Sequence, residues 1–118
     1  MKKPFFTFVL LLTFLGCRES GRMPITEFDQ QGLSQYTLLD VRTPEEFTAG
    51  HLENAININW YDEDFTGQVS NLPKGNTIYV YCQKGGRSAM AAAVLDSLGY
   101  RAIDLTGGYG ALTGVSPD

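Results

Sequence analysis

The 118-residue chain reads as one α/β domain, a small and mainly parallel β-sheet flanked by helices on both faces. Three observations predict it. Short apolar or alternating runs of strand length recur, with helical patterns between them and short loops. Residues 77–82 (TIYVYC) are β-branched and aromatic throughout, the composition of a strand buried on both faces, as parallel sheets require. Residues 88–98 (SAMAAAVLDSL) are alanine-rich and strongly helical, and Gly99 closes them as a C-cap.

The first residues stand apart from that domain. Lys2 and Lys3 form a basic head, and residues 5–15 are apolar except for Thr7 and Thr13. A charged start followed by an apolar run of this length is the pattern of a signal peptide. The run is shorter than the ~20 apolar residues that span a bilayer. It ends Phe14-Leu15-Gly16-Cys17, which resembles the lipobox of bacterial lipoproteins, with Phe14 where leucine is usual. The resemblance implies a signal peptide over 1–16, lipidation of Cys17, an anchor tether over 17–24 and a domain over 25–118. A plain secretory signal is the competing reading. Both place the mature chain outside the cytoplasm, in the periplasm or cell envelope, and the lipoprotein reading holds it to a membrane.

Loss of residues 1–16 removes two lysines and no acids, taking the formal charge from −4 to −6. So acidic a body excludes nucleic acid as a partner, because phosphates demand a basic surface. With Cys17 lipidated, Cys82 is the one thiol left, and no internal disulfide can form.

The elements follow in order. Residues 18–24 (RESGRMP) are polar and glycine-containing, a tether. Residues 36–41 (YTLLDV) have the length of a strand. Thr43, Pro44, Glu45 and Glu46 then supply a capping hydroxyl, a proline at the first helical position and first-turn acids. Gly50 and His51 end that helix. Residues 55–59 (AININ) alternate as a strand does, and residues 60–72 carry Trp60, Phe65, Val69 and Leu72 at mostly helical spacing. Residues 73–76 (PKGN) are a turn, residues 77–82 the buried strand, and 88–98 the second long helix. Residues 102–105 (AIDL) are the last strand.

Open parallel sheets place their sites beyond the carboxyl ends of strands. Cys82 is the last residue of the 77–82 strand, and Ser88 starts a helix, so the intervening loop lies at a helix N-terminus that favours an anion. Gly85 and Gly86 let the backbone aim successive amides at one point, and Lys84 and Arg87 add positive charge. Together these favour a thiolate at Cys82. A buried cysteine acting as a small hydrophobe is the plainer reading, and the loop composition argues against it.

Cys82-Gln83-Lys84-Gly85-Gly86-Arg87-Ser88 resembles the C-x-x-G-x-R-S loop of single-domain rhodaneses. Asp40-Val41-Arg42, Glu45-Glu46-Phe47 and Gly50-His51-Leu52-Glu53-Asn54-Ala55 resemble the family's D-V-R, E-[EF] and G-H-[IL]-x-x-A segments. Leu105-Thr106-Gly107-Gly108-Tyr109 resembles its L-x-G-G ending. Many members carry tryptophan where Leu112 stands, a departure expected to affect packing rather than chemistry. The resemblance covers residue 25 to the C-terminus.

The resemblance implies ping-pong sulfur transfer through a Cys82 persulfide, with a small-molecule donor such as thiosulfate and a thiol or cyanide acceptor. A protein could stand as the sulfur acceptor. The loop amides would hold the outer sulfur, Arg87 would brace the loop, and Lys84 would meet the donor's sulfonate. Asp40 and Arg42 would approach from a neighbouring strand, as a loop brace or a substrate contact. His51 is expected to cap or pack. No metal or organic cofactor is implied. Two other readings compete. Cysteine phosphatases and arsenate reductases use Cys-x5-Arg, whereas four residues separate Cys82 from Arg87 here, a ring suited to one sulfur. A carrier or sensor module without turnover is the other.

Overall fold

The computed structural model describes residues 21–114. The signal segment 1–16, Cys17 and residues 18–20 of the expected tether lie outside the described residues.

Five strands form one sheet: β1 (Gly21–Pro24), β2 (Tyr36–Asp40), β3 (Ile56–Asn57), β4 (Thr77–Tyr81) and β5 (Ala102–Thr106). Their order is β1-β5-β4-β2-β3, and every pairing is parallel. Three α-helices lie between strands, α1 (Pro44–Ala49), α2 (Phe65–Val69) and α3 (Gly86–Ser97), and a fourth, α4 (Gly108–Thr113), follows β5. From β2 the chain moves outward to β3, and from β4 it moves the other way to β5. The carboxyl ends of β2 and β4 therefore flank the point where strand order reverses, the place open α/β sheets keep for ligands.

Right-handed crossovers send connections of opposite direction to opposite faces. Along β4, Ile78 and Val80 face α2 and α3, together with Leu39, Val41, Val69, Ala91 and Leu95. Tyr79 and Tyr81 face the other way, with Leu38, Ile25, Leu105 and Tyr109. The central strand is packed over on each side, as its composition requires. Cys82 continues the parity of Ile78 and Val80, so its side chain belongs to the α3 face. Asp40 and Arg42 carry the parity of Leu38 and belong to the opposite one.

The local signals act as physics dictates. At α1, Thr43 and Glu46 close a reciprocal capping box with Pro44 in the first turn. At the end of α3, the Gly99 N–H donates to the Asp96 carbonyl at 3.0 Å and the Tyr100 N–H to the Leu95 carbonyl at 3.1 Å. That is a Schellman closure, and Gly99 takes φ +90° to make it.

Several expected boundaries shift. Residues 21–24, read as the end of a tether, form β1 against β5. Pro24 is tolerated because β1 is an edge strand, and Met23 packs into the core beneath. The alternating run 55–59 pairs as a strand only over Ile56–Asn57. Helix α2 keeps five residues of the expected 60–72, since Asp62 and Asp64 bind Gln68 Nε2 at 3.0 and 2.8 Å and shape the turn before it. Helix α3 starts at Gly86, so Arg87 and Ser88 lie in its first turn. Helix α4 has no counterpart in the sequence reading.

Candidate active site

Cys82 is 1% exposed, at the carboxyl end of β4. Gly85, the N-cap of α3, adopts φ +121°, a left-handed conformation that glycine alone accepts cheaply. That turn brings the Gly85 N–H to 3.1 Å and the Ser88 N–H to 3.3 Å from Cys82 Sγ. Ser88 is the third helical residue, so its amide is one of the donors an α-helix leaves without an internal partner. The sulfur takes that vacancy, and an anion on it would lie on the positive end of α3.

The loop is gripped from two sides. From α4, the Tyr109 N–H donates to the Cys82 carbonyl at 2.8 Å and the Gly110 N–H to the Gln83 carbonyl at 3.1 Å. Such closeness requires Gly108, where a Cβ would lie 2.4 Å from the Gln83 oxygen. Just beyond the carboxyl end of β2, Arg42 Nη1 donates to Gln83 Oε1 at 3.1 Å and Nη2 to the Gly50 carbonyl at 2.7 Å. Arg42 is 2% exposed, pairs with Asp40 at 2.7 Å, and lies over the Tyr109 ring at 4.5 Å. Burial works against its charge, but the hydrogen bond and charge of Asp40 outweigh it and raise the guanidinium above its usual value. Asp40 and Arg42 thus brace the loop from the far face of the sheet. Tyr81, pushed upward by burial, accepts the Leu52 N–H on that side.

Arg87 lines the same cavity as Cys82, and its guanidinium is held by Glu46. Its Nη1 and Nη2 donate to Glu46 Oε1 and Oε2 at 2.7 and 3.0 Å, a bidentate pair that ties α3 to α1. Arg87's hydrogen bonds hold the Glu46 carboxyl down at about 2, against the opposing effect of burial. Glu46 also serves the α1 capping box, so one carboxylate joins helix start and loop.

A cavity of about 540 Å³ opens above Cys82. Its walls include Gln83, Lys84, Gly86 and Arg87 from the loop, Thr43 and Glu46 from the cap and first turn of α1, and the exposed Tyr61 and Met90. The loop residues named from sequence therefore come together, with Lys84 exposed at the rim. His51 does not join them. It stacks on Phe47 at 3.6 Å, and its Nδ1 lies 2.7 Å from the Phe47 carbonyl, a packing and capping position. Leu112, at the position where many family members carry tryptophan, is 43% exposed. No group of three His, Cys, Asp or Glu able to hold a metal occurs among the described residues.

Sequence reasoning missed two neighbours of the sulfur's loop. Glu46 was legible as a capping acid but not as the partner of Arg87. Asp104, on β5, accepts a hydrogen bond from Ser88 Oγ at 2.7 Å while 4% exposed. Its signal was an acid inside an otherwise apolar strand.

Fold and site define a class: a parallel α/β domain holding a buried thiol under backbone amides at its topological switch point. The profile of the Rhodanese-like domain matches residues 26–114, and the chain belongs to that family. Thiosulfate sulfurtransferase 16, chloroplastic, of Arabidopsis thaliana is 40% identical over 108 residues, covering 79% of this chain and 90% of the relative. A sulfurtransferase of Allochromatium vinosum is 33% identical over 92 residues, covering 71% and 84%. The crystal structure of a rhodanese-related protein from Thermoplasma volcanium superposes with a TM-score of 0.69 at 28% identity, covering 82% and 95%.

Proposed function

We propose that the chain is a sulfurtransferase that moves a sulfane sulfur from thiosulfate, or a related donor, to a thiol acceptor through a persulfide on Cys82. The observation that carries the reading is the placement of Cys82 Sγ under the Gly85 and Ser88 amides, at the floor of an open cavity. The sulfurtransferase relatives add their weight.

Cys82 thiolate attacks the outer sulfur of thiosulfate. The donor's S–S bond breaks, and sulfite leaves with the bonding electron pair. The persulfide's outer sulfur carries the negative charge, and the loop amides with the positive end of α3 stabilise it. An acceptor thiolate then attacks that sulfur, and Cys82 thiolate departs. Splitting the transfer into two displacements replaces one difficult step by two easier ones. Arg87, engaged by Glu46, supplies fixed positive charge and loop rigidity rather than a grip on substrate. Lys84 at the rim meets the sulfonate. That bidentate engagement also argues against a phosphatase, which needs its loop arginine for phosphate oxygens.

Export and anchoring through Cys17 belong to the same reading, on the strength of residues 1–17 alone. Lys84 provides a kinetic test. Thiosulfate is a dianion approaching an acidic protein, so local cations must overcome the overall field. Lys84→Ala should raise KM for thiosulfate more than it lowers kcat in the thiocyanate-forming assay, the mark of lost ground-state binding. An uncharged persulfide donor should be less affected. Equal losses with both donors would remove Lys84 from this role, and turnover of p-nitrophenyl phosphate would overturn the reading.

A further inference from the structure

The parity that aims Cys82 at α3 aims Asp104 at the same face, because Asp104 pairs with Val80 in the β4–β5 register. Ser88 stands between the two. Its Oγ lies 3.5 Å from Cys82 Sγ, 2.7 Å from Asp104 Oδ1 and 3.2 Å from the Gly85 carbonyl. Ser88 is fully buried. A hydroxyl has one proton to give, so Ser88 cannot donate to the carboxylate and to the sulfur together.

Resting on the reading of Cys82 as the reacting atom, we propose that Asp104 is a positioning residue that sets Cys82 ionisation through Ser88. When Asp104 is ionised, Ser88 donates to Oδ1 and turns a lone pair toward the sulfur. That arrangement suits a thiol, whose S–H donates to Ser88 Oγ. When Asp104 is neutral, its O–H donates to Ser88 Oγ, and the Ser88 O–H turns to Sγ as a third donor beside the two amides. One arrangement converts to the other by an internal shift. The S–H bond breaks and its proton passes to Ser88 Oγ, while Ser88's own proton passes to Asp104. The negative charge moves from carboxylate to thiolate, and nothing is exchanged with solvent.

The surroundings fit a carboxyl that holds its proton readily. Burial pushes Asp104 upward from the usual carboxylate range, opposed by the Ser88 hydrogen bond and the charge of Arg22. Arg22, opposite it in the β1–β5 register, is the charged group facing it from β1. Helix α3 presents Ser88 and alanines, and β4 presents Val80 with Cys82 beyond it. A second cavity, of about 180 Å³, reaches Asp104 between Arg22 and the alanines of α3. That cavity shares no lining residue with the one above Cys82.

The test is the pH profile of iodoacetamide alkylation at Cys82 in the full chain, read by mass spectrometry of the Cys82 peptide. Asp104→Asn is near-isosteric, uncharged and able to donate to Ser88 Oγ, so it fixes the neutral setting. Its profile should shift to lower pH, with alkylation several-fold faster on the rising limb. In a Ser88→Ala background the same substitution should lose most of that shift. Superimposed wild-type and Asp104→Asn profiles would overturn the proposal. A shift of equal size with and without Ser88 would also overturn it, since that is a through-space charge effect. In the wild type, where no variant can misfold, blocking Cys82 should change the titration of the Asp104 carboxyl carbon seen by NMR, because linkage is reciprocal. An unchanged titration would contradict it. Alkylation needs no sulfur donor, so this coupling can fail while sulfur transfer stands, and the reverse.

Discussion

Glu46 accepts from Thr43 and from both terminal nitrogens of Arg87, so one side chain fixes the start of α1 and the first turn of α3. Its carboxyl is lowered from 4.5 to about 2 in the folded chain. A lowered carboxyl contributes stability above its unfolded value, and the contribution is lost as pH falls toward the folded one. Glu46→Gln should therefore cost about 1 kcal/mol at neutral pH, a partly exposed pair plus a helix cap. The gap between wild type and variant should close between pH 4.5 and about 2, as followed by urea denaturation. A gap that stays constant to pH 2 would remove the ion pair from the account. Cys82, Arg87 and Ser88 were legible in the sequence because their meaning is local: a strand end, glycines and a helix start within seven residues. The bond from Arg87 to Glu46 was not, since it joins positions 41 apart in sequence and no one-dimensional spacing records it. Asp104 was hidden for the same reason.

At the scale of elements, α4 matters more than its six residues suggest, because its first amides hold the carbonyls of Cys82 and Gln83. Gly108 makes that possible, with φ +69° and no room for a Cβ. Gly108→Ala should destabilise the fold by roughly 1–3 kcal/mol, from overpacking against backbone that cannot yield. It should also lower sulfur transfer, as the loop loses its support. Gly86→Ala is the control for stability, since a Cβ there meets nothing within 4 Å. Thermal unfolding of both variants decides the matter, and equal Tm values would contradict the role given to α4. Helix α4 escaped the sequence reading because a glycine-rich hexapeptide carries no helical signature. It is held in place by tertiary bonds rather than propensity. The edges of β1, β3 and α2 shifted for a related reason. Pairing with β5 makes a strand of residues 21–24, and side-chain bonds from Gln68 to Asp62 and Asp64 shape the turn that precedes α2.

Across the whole molecule, one polarity organises everything: five parallel strands send Cys82, Arg42 and the start of α4 to the same end of the sheet. That architecture was legible from the alternation of buried runs with helices, because a fully apolar strand beside alanine-rich helical sequence has few other solutions. The order of the strands was not, since it depends on crossover direction. If Cys17 carries lipid, the mature protein should partition with membranes and Cys17→Ala should fail to mature normally. A soluble, correctly cleaved product without lipid would end the lipoprotein reading and leave the domain's chemistry untouched. The central claim is that Cys82 carries sulfur, and the most direct measurement is the mass of the Cys82 peptide after treating the protein with thiosulfate. The account predicts a gain of one sulfur atom on that peptide, its loss on adding cyanide with thiocyanate formed in its place, and neither event in Cys82→Ser. A wild-type chain that takes up no sulfur from thiosulfate or an organic persulfide, or a Cys82→Ser variant that still forms thiocyanate, would contradict it.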